Sequence, residues 1–105
     1  MRKRVKKDGK ETVLVVDDTE LVRILVKEVL TRSGYDVLEA TNGEEALLIC
    51  SQREEPIHFL LTDMMMPKMS GDETIKKIRE NPKTKDLRVV ILTVSRIAEI
   101  SKFQL

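Results

Sequence analysis

Apolar residues follow two rhythms along the chain, short unbroken runs and stretches where they recur at helical spacing. Thr12-Val13-Leu14-Val15-Val16 is the first run, and a run without polar alternation predicts a strand buried on both faces. Val22, Leu25, Val26, Val29 and Leu30 then stand at i, i+3, i+4, i+7 and i+8, the stripe of an amphipathic helix. Gly34 suits the left-handed position that ends such a helix. Asp36 to Ala40 predicts a second strand. A helix starting at Asn42 or Gly43 runs through Ala46, Leu47 and Cys50 and ends before Pro56. Ile57 to Thr62 predicts a third strand, closing on Asp63. Ser70 is a good N-cap for a helix to about Glu80, with Ile75 and Ile78 inward, and Asn81-Pro82 breaks it. Val89 to Thr93 predicts a fourth strand, and Arg96 to Leu105 the start of a helix with Ile97, Ile100 and Phe103 on one face. Strands alternating with helices imply an α/β fold with a doubly wound parallel sheet and right-handed crossovers.

Composition narrows the class without changing that picture. The chain has 105 residues, 41% apolar and 35% charged, with 4 Gly and 3 Pro, so collagen-like, low-complexity and wholly disordered readings fall away. Aromatics are 3% and Trp is absent, which leaves aliphatics and Met to build the core. A single Cys excludes an internal disulfide framework and a Cys-based zinc site, and a single His leaves no His cluster. The longest apolar runs hold about half a dozen residues, far short of the ~20 a membrane helix needs. No signal-peptide pattern follows the basic start. The expectation is a cytoplasmic protein with no membrane contact.

The net charge of +1 conceals a split. Residues 1–10 carry six bases against Asp8, and the remainder carries 13 bases against 17 acids. Residues 1–10 therefore read as a basic, flexible N-terminal tail, and residues 11–105 as the domain. No basic stripe with interleaved aromatics follows, which argues against a nucleic-acid module.

Candidate chemistry sits at the strand ends. Open parallel sheets bind ligands outside the carboxyl ends of their strands. Asp17 and Asp18 directly follow the first strand and Asp63 follows the third, so the three converge if those strands are neighbours. Clustered carboxylates repel and raise one another's pKa unless a cation joins them. Hard oxygen donors favour Mg²⁺, and Mn²⁺ can substitute. A cation beside a carboxylate suits phosphoryl transfer with Asp as nucleophile. Thr93 ends the fourth strand on the same edge, where its hydroxyl can donate to a phosphate oxygen. Taken alone, the Asp-Asp pair reads equally as a solvated loop capping the next helix through Asp18 or Thr19.

The stretches VLVVDDTELVRILVKEVL, LLTDMMMPKMSGDETIKKIR and VVILTVS resemble the receiver domain of bacterial two-component response regulators. The resemblance spans residues 12 to about 95 and is most specific from Asp63 to Gly71. It implies a flavodoxin-like receiver fold with strand order 2-1-3-4 here, the fifth strand and last helix of the family being missing. It implies that Asp63 accepts a phosphoryl group from a sensor histidine kinase or phosphotransfer protein. Asp18 would bind Mg²⁺ directly, Asp17 mainly through water, and Asp63 and the Met65 backbone carbonyl would complete the metal set. Thr93 would contact the phosphoryl group.

Two departures from the family pattern stand out. Val94 replaces a small residue, and the chain ends 12 residues after Thr93, with nothing matching the family's fifth-strand lysine or aromatic switch residue. Lys102 and Phe103 do not match them. Two consequences are expected: a receiver incomplete at its C-terminus, and a homodimer through the fourth-strand edge or by exchange of Arg96 to Leu105. The function expected is a phosphoacceptor regulatory domain in a phosphorelay, not an enzyme beyond weak self-catalysed phosphotransfer and dephosphorylation. The alternative is a receiver-like binding module that works without phosphorylation. A Mg²⁺-dependent phosphohydrolase is disfavoured by the absence of a D-x-D arrangement and of a placed general acid. Cys50 reads as a small buried apolar residue, His58 as structural or surface, and Met64, Met65, Met66 and Met69 as part of the family's loop.

Overall fold

The computed structural model describes residues 9–66 and 68–92. Most of the basic tail, Pro67, Thr93, Val94 and the stretch from Arg96 to Leu105 lie outside the described residues. Four strands and three helices alternate: β1 (Thr12–Val16), α1 (Glu20–Arg32), β2 (Asp36–Ala40), α2 (Gly43–Gln52), β3 (Phe59–Asp63), α3 (Gly71–Glu80) and β4 (Arg88–Leu92). All pairings are parallel, in the order β2-β1-β3-β4. The chain thus has the order 2-1-3-4 of the flavodoxin-like receiver fold. Every residue of β1 is buried, as its unbroken apolar run requires of a central strand.

Successive strand residues point to opposite faces, so β3 splits its neighbours Leu60 and Leu61. Leu60 joins Leu14 and Val16 under Ala46 and Cys50 of α2 and Ile78 of α3. Leu61 faces the other side and borders a groove with the α1 residues Val22, Leu25, Val26, Val29 and Leu30. Helices therefore lie on both faces. The α2–α3 contact is close: a Cβ at Gly43 would collide with Thr74 Oγ1 and stand 2.9 Å from Met69 Sδ. Asn42 caps α2 by accepting from the Glu45 N–H at 2.8 Å, and Ser70 caps α3 by accepting from the Glu73 N–H at 3.2 Å. Gly34 takes φ 94° after α1, the left-handed turn that glycine tolerates best.

Three features differ from the sequence pattern. β3 begins at Phe59 rather than Ile57, because His58 is buried and works as a clasp. Its Nδ1 accepts from the Thr12 N–H at 3.0 Å, while its own N–H donates to the Thr12 carbonyl at 2.9 Å. β4 runs from Arg88 to Leu92, the Arg88 guanidinium lying 5.8 Å from the centre of the Phe59 ring. Finally, the α1 stripe is not enclosed: no residue of α1 is buried, and Leu25 is 53% exposed.

Candidate metal centre

Parallel pairing of β1 with β3 sets Val16 opposite Thr62, so the residues that follow, Asp17 and Asp63, emerge side by side. Asp18 comes next on the turn into α1. One carboxylate oxygen from each of Asp17, Asp18 and Asp63 lies within 4.8 Å of the other two. Asp17 is 2% and Asp63 6% exposed, while Asp18 faces solvent. The sequence expectation that these three converge holds.

Each buried carboxylate takes a backbone donor from its own turn. The Thr19 N–H donates to Asp17 Oδ1 at 2.8 Å, and the Met65 N–H donates to Asp63 Oδ1 at 3.1 Å. Burial pushes the Asp17 carboxyl above its usual 3.8, and the charges of Asp63 and Asp18 push it further, against the lowering by the Thr19 N–H. A carboxylate held at such a cost invites a cation. The donors are hard oxygens, anionic, mutually close, and open to solvent on the Asp18 side, which fits a divalent ion that keeps several waters. A Mg²⁺-type ion therefore matches the residues present.

The acceptor loop is braced from α3. The Gly71 N–H donates to the Met64 carbonyl at 3.1 Å. A Cβ at Gly71 would come within 2.6 Å of the Asp63 carbonyl oxygen and 2.8 Å of Met64 Cα, so only glycine lets the helix start so near Asp63. The Thr62 hydroxyl donates to that same Asp63 carbonyl at 2.9 Å. Lys68 adopts φ 70°, a strained value for a residue with a side chain. Met69, buried at the α2–α3 contact, anchors the far end of the loop.

Of the remaining expected site residues, Met65 contributes its N–H to Asp63 while its side chain is 82% exposed. Thr93 lies outside the described residues, and its predecessor Leu92 pairs opposite Asp63. A base stands beside the acidic turn, Arg23 of α1. Arg23 donates through Nη1 to the Asp17 backbone carbonyl at 2.6 Å and sets Nε 3.4 Å from Glu39 of β2. One signal could have exposed it: a cation near the positive N-terminal end of a helix opposes the helix dipole and needs another partner. Gly71 lies within the Asp63–Gly71 motif, but its bracing of Asp63 is not legible in the sequence.

Comparison with known proteins agrees with the fold. The family model of the response regulator receiver domain matches residues 13–103. A chemotaxis protein CheY homologue of Campylobacter jejuni is 42% identical over 82 residues, which cover 77% of this chain and 62% of that protein. The chain thus spans about three fifths of that relative's length. The chemotaxis response regulator CheY4 of Vibrio cholerae superposes with a TM-score of 0.74 at 30% identity, covering 78% of this chain and 67% of that one. The response regulator TrrA of Thermotoga maritima, solved in complex with Mg²⁺-BeF, gives a TM-score of 0.68 at 38% identity over 77% of this chain and 67% of that one. With a strand order, an acidic cluster and a family match that all fall on the same residues, the chain belongs to the response regulator receiver domain family of two-component signalling.

Proposed function

We propose that this chain is a phosphoacceptor: Asp63 receives a phosphoryl group from the phosphohistidine of a sensor histidine kinase or phosphotransfer protein. The convergence of Asp17, Asp18 and Asp63 within 4.8 Å carries this reading. With Oδ1 engaged by the Met65 N–H, the second oxygen of Asp63 is the nucleophile. It forms a bond to phosphorus as the phosphorus–nitrogen bond of the donor breaks and its electron pair returns to the imidazole. Asp17, Asp18, Asp63 and the Met65 carbonyl would hold Mg²⁺, or Mn²⁺ in its place. The bound ion supplies positive charge that screens the phosphoryl oxygens from the surrounding carboxylates. Gly71 and the Thr62 hydroxyl keep the Asp63 backbone from shifting as the charge moves. Thr93 donates its hydroxyl to the phosphoryl group. The Mg²⁺-BeF complex of the Thermotoga maritima relative supports the metal.

The domain is regulatory, and the change on phosphorylation is read by a partner. No helix among the described residues is long and apolar enough to cross a membrane, which accords with a cytoplasmic role. Among the described residues β4 is an outer strand of the sheet, with Val90 50% and Ile91 41% exposed, and this proposal includes pairing of two copies along it. Incubation with Mg²⁺ and acetyl phosphate followed by intact-mass measurement tests the reaction. One added phosphate is expected on the unaltered chain and none on Asp63→Asn. An unmodified mass for the unaltered chain would favour a binding module that works without phosphorylation, and steady release of free phosphate would point to a phosphohydrolase.

A further inference from the structure

We infer that Arg23 is a positioning residue for the acidic centre, holding the Asp17–Asp18 turn in the geometry that a divalent cation needs. This rests on reading the three acids as a cation site. The Arg23 side chain is only 12% exposed although it carries a charge. Its Nη1 grips the Asp17 carbonyl at 2.6 Å, and its Nε faces Glu39 Oε1 at 3.4 Å. Glu39 directly precedes Ala40, whose carbonyl accepts the Asp17 N–H at 3.1 Å. Both sides of Asp17 are therefore tied to the end of β2, one directly and one through the guanidinium. Lys27, one helical turn further on, places Nζ 3.4 Å from Glu39 Oε2 and so holds the anchor itself. With the Thr19 N–H on its carboxylate at 2.8 Å, Asp17 has its amide, its carbonyl and its carboxylate each restrained.

A guanidinium suits this role because its planar fork reaches two acceptors at once, which a lysine ammonium on a flexible stem does not reproduce. The restraint matters because the three carboxylates repel one another, and Arg23 holds the turn that carries two of them against that repulsion. Charge and position make opposite forecasts. As a mere positive charge near the acids, Arg23 would compete with a metal, and its removal would tighten binding. As the clamp on the turn, its removal loosens binding.

The test uses the full chain and its Arg23→Met and Arg23→Lys variants, each at a temperature well below its own melt. Mn²⁺ titration, read by the ion's magnetic resonance signal, is expected to show about tenfold weaker affinity in Arg23→Met, the scale of lost outer-shell support. Arg23→Lys is expected to recover part of that loss. Affinity that is unchanged or tighter in folded Arg23→Met overturns the inference. Hydrogen exchange in the metal-free protein gives a second arm: the Thr19 amide should exchange faster in Arg23→Met while the Ala46 amide in α2 keeps its rate. If the unaltered chain takes no Mn²⁺, or Asp18→Ala leaves its titration unchanged, the cation-site reading fails. The exchange arm then decides alone whether Arg23 clamps the turn, an unaltered Thr19 rate overturning it.

Discussion

The two faces of the sheet are similarly apolar, yet they are covered very differently. On one, Leu14, Val16 and Leu60 lie fully buried under α2 and α3, and Ile78 of α3 is itself 0% exposed. On the other, Leu61 borders an open groove of about 300 Å³ whose α1 wall keeps Leu25 53% and Val29 63% exposed. The divide passes between adjacent residues of one strand and continues into β4, where Val89 packs on the core and Val90 is half exposed. Apolar spacing marks a surface as able to be buried. Burial itself belongs to the pair of surfaces: the α2–α3 side has close contacts at Gly43, Thr74 and Met69, whereas no residue of α1 is buried.

The most direct way to break this comparison is to cut a methyl-rich side chain from the covered face. Ile78→Ala should cost about 3–4 kcal/mol, transfer and cavity terms together. Urea unfolding followed by circular dichroism measures it, and a loss near zero would mean that α3 is not seated as described.

A smaller effect sharpens the comparison at the carboxyl end of β1, where burial falls on a charge instead of a methyl group. Asp17 titrates above 3.8 in the folded chain, chiefly through burial and then through Asp63 and Asp18. Above that raised value both folded and unfolded forms are ionised and the folded one carries the penalty. As pH falls through it, the folded form takes a proton before the unfolded form does, so this residue's contribution to stability rises until the unfolded value near 3.8 is reached. Metal-free Asp17→Asn should therefore be more stable than the unaltered chain near pH 7, with the advantage shrinking toward pH 4. Unfolding midpoints across that range check the sign, and a gap that widens on acidification would contradict it.

The least effect is expected on the open face. Leu25→Ser removes as much apolar surface as a core substitution does, but from a side chain already half in water, and should change stability by less than about 0.5 kcal/mol. Urea midpoints settle this too. A loss as large as that of Ile78→Ala would show that the groove is covered in solution.

Much of the element plan was readable in advance because it depends on local spacing. The unbroken run at Thr12–Val16, the caps at Asn42 and Ser70 and the stop at Gly34 act within a few residues, and each is where the pattern puts it. β3 starts two residues later than the apolar run predicts because His58 bonds to Thr12, 46 positions away, which no local window contains. The acidic site was readable for a related reason: Asp17, Asp18 and Asp63 stand at strand ends, and parallel topology brings such ends together. The role of Arg23 is not legible in the sequence because its partners, a backbone carbonyl and Glu39, lie outside its own helix.

The sequence by itself determined the kinds of element, their order, the parallel sheet and the presence of three acids at its carboxyl edge. These follow from periodicity, from capping residues and from the handedness of the chain, which operate over one or two turns. Tertiary structure alone decided which apolar stripe is enclosed, how near α3 comes to Asp63 through Gly71, and how far Asp17 resists ionisation. Those outcomes depend on distances between segments far apart in sequence, and burial, repulsion and hydrogen bonding take their magnitude only once those distances are set.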